Sequence, residues 1–92
     1  MANSKISSRA DKLSRRYNLS IADYDALLLS QAGVCAICGG KDERQRLSVD
    51  HNHATKSVRG LLCGNCNNGL GRFKDSIELL LAAVNYLHHR DK

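Results

Sequence analysis

Ninety-two residues, 14 of them Lys or Arg and nine Asp or Glu, make one small basic domain with a formal net charge of +5. No run approaches the roughly 20 apolar residues of a membrane span. The four aromatic residues, Tyr17, Tyr24, Phe73 and Tyr86, are too few for the stacking platform that grips single-stranded nucleic acid. A chain this short buries only about 60–65% of its unfolded surface, so its core is marginal unless something besides apolar burial supports it.

The first 20 residues form a basic arm or helix, with Lys5, Arg9, Lys12, Arg15 and Arg16 against Asp11. Lys5, Arg9, Lys12 and Arg16 recur at helical spacing and would present a row of cations to a polyphosphate backbone. Ser20, with Asp23 three residues on, predicts a helix from about Asp23 to Ala32, ended by Gly33, with Ile21, Tyr24, Leu27 and Leu28 on its apolar side. Leu47–Asp50 and Val58–Leu62 are β-prone runs separated by polar residues, the pattern of a hairpin on a longer loop. Asn67 is expected to open a short helical turn closed by Gly69 or Gly71. The last helix is expected from about Ser76 to His89, with Asp75 and Glu78 as its capping pair and Ile77, Leu80, Leu81, Val84 and Leu87 on one core-facing stripe. His88 and His89 sit at its end and receive no role. A second basic block spans 41–74, with seven basic against three acidic side chains. The positive charge therefore lies on the N-terminal arm and beside the hairpin.

Cys35-x-x-Cys38 and Cys63-x-x-Cys66 account for every cysteine in the chain. Four thiolates in two such pairs are what a tetrahedral structural Zn²⁺ takes, and the 24 residues between the pairs leave room for the hairpin. Two disulfides would suit a small secreted domain instead. No apolar leader pattern opens the chain, which favours zinc and a reducing cytoplasm.

Zinc joining the segments on either side of the hairpin would bring Asn67 next to the strand carrying Asp50 and His51. The Asp50 carboxylate and the Asn67 amide oxygen are hard oxygen ligands suited to Mg²⁺ or Mn²⁺. His51 is then free to take a proton from water attacking a phosphodiester. His53 lies on the same strand face as His51, where it would orient the phosphate or tune the base. Arg59 on the partner strand is placed to meet a phosphate. One difficulty is that strict alternation sends Asp50 and His51 to opposite faces, so the strand must end or twist there. The residues give an α+β domain over 1–92: a zinc-stapled ββα unit, with its zinc and active-site core at 35–71, flanked by N- and C-terminal helices.

Tyr17-Asn18-Leu19, Tyr24-Asp25-Ala26-Leu27-Leu28, Gln31-Ala32-Gly33-Val34-Cys35-Ala36-Ile37-Cys38, Val49-Asp50-His51-Asn52-His53, Val58-Arg59-Gly60-Leu61-Leu62-Cys63 and Cys66-Asn67 together resemble the recombination endonuclease VII family, within the HNH or His-Me finger nucleases. The resemblance covers roughly Leu13 to Leu87. It implies a ββα-metal site with His51 as general base, Asp50 and Asn67 on the catalytic metal, and structural zinc on the four cysteines. It also implies a DNA substrate, duplex or branched, cut to 5′-phosphate and 3′-hydroxyl ends, and a phage or prophage origin. Leu70 stands near Asn67 where junction-resolving members can carry an acidic residue, and those members have further C-terminal helices. Nicking or general duplex cutting is therefore the expectation; a monomer would nick and a homodimer could cut both strands. Two readings compete with the enzyme, a non-catalytic zinc module that binds nucleic acid and a zinc-stapled protein adaptor.

Overall fold

The computed structural model describes residues 8–42 and 45–90. In chain order it holds α1 (Arg9–Tyr17), α2 (Ile21–Ser30), β1 (Ser48–His51), β2 (Val58–Leu62), α3 (Gly64–Arg72) and α4 (Ile77–Arg90). The two strands form an antiparallel hairpin, and α3 follows β2 directly and packs against both strands.

Ser8 caps α1 by accepting from the Asp11 amide at 3.1 Å, and Asn18 ends the helix in the left-handed conformation that asparagine tolerates. The expected capping box of α2 is present: the Ser20 hydroxyl accepts from the Asp23 amide, and Asp23 accepts from the Ser20 amide. The helix stops earlier than Gly33. Ala32 takes the left-handed position at φ 57°, and the Gly33 amide closes back on the Leu28 carbonyl at 2.8 Å. This is the six-to-one hydrogen bond of a Schellman ending, with glycine one place beyond the left-handed residue.

β2 occupies the expected residues, and β1 runs one residue later than expected. Asp50 pairs with Gly60 but His51 pairs with Val58, so Arg59 is an extra residue on β2. Such a bulge bends its strand and re-aims side chains, and it carries Arg59, whose guanidinium meets Asp50 on β1.

Two expectations about the helices need correction. α3 is a full helix rather than a turn opened by Asn67, because Cys63 caps it through sulfur, accepting from the Cys66 amide at 3.4 Å. The second cysteine pair is thus the first turn of a helix that carries Asn67. In α4 the cap is Ser76, whose hydroxyl accepts from the Leu79 amide, and Asp75 is used elsewhere. The α4 stripe is also not core: Ile77, Leu81, Val84 and Leu87 are each at least 60% exposed.

The core lies where α1, α2, the hairpin and the cysteines meet: Leu13, Tyr24, Cys35, Leu47, Val49, Leu61, Leu62 and Cys63. The Tyr24 hydroxyl donates to the Leu47 carbonyl, and burial raises its pKa. Gln31 fastens this core to β2. Its side-chain oxygen accepts from the Leu61 amide at 2.9 Å, and its nitrogen donates to the Leu61 carbonyl at 2.9 Å and the Val34 carbonyl at 2.8 Å. A Cβ at position 60 would stand 3.2 Å from that oxygen, so Gly60 permits the approach. Gln31→Ala leaves the inner backbone groups of β2 without these partners and is expected to lower stability by about 1–3 kcal/mol in a denaturant melt.

Candidate active site and metal centre

The cysteine cluster begins with a tight turn. Gly39, at φ 74°, lets the chain double back so that its amide donates to the Cys35 carbonyl, while the Cys35 amide donates to the Gly40 carbonyl at 2.8 Å. Amides also point at the sulfurs, with Ile37 donating to Cys35 and Gly40 to Cys38, each at 3.4 Å. The Asp42 carboxylate reaches across to the Gly64 amide at the start of α3, at 3.0 Å. The result brings the Sγ atoms of Cys35, Cys38, Cys63 and Cys66 within 4.8 Å of one another, all as free thiols. A tetrahedral ion with bonds of about 2.3 Å wants sulfurs about 3.8 Å apart. The Cys38–Cys63 separation is 3.8 Å, so the cluster suits a structural metal such as zinc.

The sulfurs differ in their hold on a proton. Burial opposes ionisation of Cys35, yet backbone donors at Cys38, Cys63 and Ile37 and the Cys66 thiol outweigh it and lower its pKa to about 6. Burial first, and then the neighbouring sulfurs, push Cys66 up to about 12. A metal needs both as thiolates, so binding must expel the Cys66 proton at neutral pH and compete with a Cys35 proton as well below about pH 6.

On the other side of the hairpin, five side chains form a connected cluster. Arg59, carried by the bulge, donates through Nε to Asp50 Oδ2 at 2.7 Å and through Nη2 to Asp50 Oδ1 at 2.9 Å. The same Nη2 donates to Asp75 Oδ2 at 3.1 Å. His53 Nε2 lies 3.8 Å from that Asp75 oxygen, and its ring meets the His51 ring at 4.7 Å between centroids. The His51 ring also meets that of Tyr17 on α1, at 5.5 Å between centroids. The Arg59 proton is held more firmly than usual, first by its bond to Asp50 and, against the cost of burial, by Asp75.

Asp50 and the His51–His53 pair are linked through Arg59 and Asp75, and Asn67 is half-buried on the helix that packs on both strands. Arg59, expected to face a phosphate, is engaged by two carboxylates. Lys12 and Arg16 are exposed on α1, whereas Arg9 lies over the Tyr24 ring, 4.6 Å from its centroid. Lys5 lies outside the described residues. Asp75 and Tyr17 were not read as site residues. Asp75 looked like a helix cap because its partner is 16 residues away in sequence.

This is a cysteine-stapled α+β domain that presents a cluster of histidines and carboxylates on a bulged hairpin. The chain belongs to the recombination endonuclease VII family, whose pattern it matches over residues 10–89. It is 47% identical over 73 residues to the Gene 59 protein of Mycobacterium phage D29 and 42% identical over 73 residues to that of Mycobacterium phage L5. Each alignment takes in 77% of this chain and 44% of the relative, so the chain corresponds to less than half the length of these phage proteins. No solved structure matches it. Among the described residues no helix is long and apolar enough to cross a membrane.

Zinc titration into metal-free protein is expected to saturate at a single equivalent, release protons at pH 7 and weaken as the pH falls. Calorimetry in buffers of differing ionisation enthalpy reads both effects. Cys63→Ser should abolish uptake and the cooperative thermal transition together; a normal melt of the metal-free variant would contradict this.

Proposed function

We infer that this chain is a DNA endonuclease of the HNH, His-Me finger type, hydrolysing phosphodiester bonds with His51 as general base and one Mg²⁺ or Mn²⁺ ion on Asp50 and Asn67. The observation that carries the reading is the gathering of Asp50, His51 and His53 on one bulged hairpin in a chain of an endonuclease family. The succession of β1, β2 and α3 supports that reading. The donor set of a carboxylate and an amide oxygen fits a hard divalent cation. When bound, that cation supplies charge stabilisation to the phosphoryl group and the leaving oxygen.

The residues of the chain do the rest. His51 takes the proton from the attacking water, its ring in contact with those of Tyr17 and His53. His53 orients the scissile phosphate beside that base. Lys12 and Arg16, with Lys5 earlier in the same arm, meet backbone phosphates along the duplex, so binding weakens as salt rises. These contacts carry no base information. The site of action is the host cell in which the phage relatives are expressed.

Supercoiled plasmid incubated with zinc-loaded protein should be nicked or linearised in Mg²⁺ or Mn²⁺ and untouched in EDTA. His51→Ala should lower the rate at least a hundredfold, the scale of a lost general base, with zinc content and DNA affinity kept. Plasmid left intact by folded, DNA-binding protein would instead make the chain a non-catalytic zinc module.

A further inference from the structure

We propose that Asp75 is a positioning residue for the divalent-cation site: it receives the Arg59 guanidinium when the cation takes the Asp50 carboxylate. This rests on the reading of Asp50 as a metal ligand. Both oxygens of Asp50 are held by Arg59, at 2.7 and 2.9 Å, so guanidinium and cation compete for the same carboxylate. Arg59 cannot yield by losing its proton, since a guanidinium stays charged and its two carboxylate partners hold that charge more firmly still. It must move, and its charge must be met where it goes.

Asp75 is already in place for that. Its Oδ2 shares Nη2 of Arg59 at 3.1 Å, so the exchange keeps one hydrogen bond and gives up two to Asp50. The Arg59 side chain is 37% exposed and sits on a bulge, which leaves it room to turn, whereas the Asp75 side chain is 23% exposed. The backbone fixes Asp75. Lys74 and Asp75 are consecutive left-handed residues, at φ 57° and 54°, and the Asp75 amide donates to the Leu70 carbonyl at 2.8 Å. An aspartate between two helices would ordinarily be explained as a cap, but Ser76 caps α4, so that explanation does not apply. With Arg59 on Asp75 the two charges cancel and Asp50 keeps its full negative charge for the cation. Without Asp75 the cation would face an uncompensated guanidinium.

The test is Mn²⁺ binding to zinc-loaded protein, followed by the electron paramagnetic resonance of free Mn²⁺, in the wild type and in Asp50→Asn, Asp75→Asn, Arg59→Gln and the Asp75→Asn/Arg59→Gln double variant. Asp75→Asn should weaken Mn²⁺ about tenfold, the size of effect a neighbouring unpaired charge has on a carboxylate. Arg59→Gln should bind at least as tightly as the wild type, and the double variant should match Arg59→Gln, because Asp75 acts only through Arg59. A double variant as weak as Asp75→Asn would make Asp75 a ligand or a structural prop and overturn the proposal, as would unchanged affinity in Asp75→Asn. If Asp50→Asn binds Mn²⁺ as the wild type does, the metal-ligand reading of Asp50 fails, and the proposal with it.

Discussion

Four sulfurs within 4.8 Å of one another join the segment that follows α2 to the first turn of α3, and the hairpin is the loop between them. Two of those sulfurs belong to residues counted in the apolar core, Cys35 and Cys63. The cluster is therefore a wall of the core as well as a donor set that could hold a structural metal. Structural zinc binding can contribute more than a domain's whole net stability, so with such an ion a core of this size can leave the positions of β1, β2 and α3 to one coordination shell.

The bulge at Arg59 does for the local geometry what the cysteines do for the topology. The register slips between Asp50 and His51, the step at which a regular strand poses the difficulty, and the residue that makes the slip is on the partner strand. With the extra residue in β2, Arg59 clamps Asp50, touches Asp75 and, through Asp75, links to His53 and His51. Asp50 is 12% exposed as a side chain, and its charge is compensated by this guanidinium, which also fixes the orientation of the carboxylate.

Those parts of the fold that depend on neighbours in sequence could be read from it. The Ser20–Asp23 capping box, the β2 boundaries and the cysteine pairs are all encoded within a few residues. What escaped depended on distance or on what each surface meets. The Asp75–Arg59 pair spans 16 residues, and the Gln31 clasp on Leu61 spans 30. The α4 stripe has a core-like period, yet periodicity says only that a face is apolar and not what covers it. Cys63 was read as a ligand, and its second use as the cap of α3 turned an expected turn into a helix.

The two sides of the site thus have different supports. Asp50 and Asn67 depend on the cysteine cluster and the hairpin, whereas the proposed base, His51, has its ring against that of Tyr17 on α1. That helix is held by buried Leu13 and by Arg9 lying on the Tyr24 ring, so one of the arm's cations is spent on packing rather than left to a phosphate. The arm therefore has two duties. Lys12 and Arg16 face solvent, while Arg9, Leu13 and Tyr17 tie the same helix to the core and to His51.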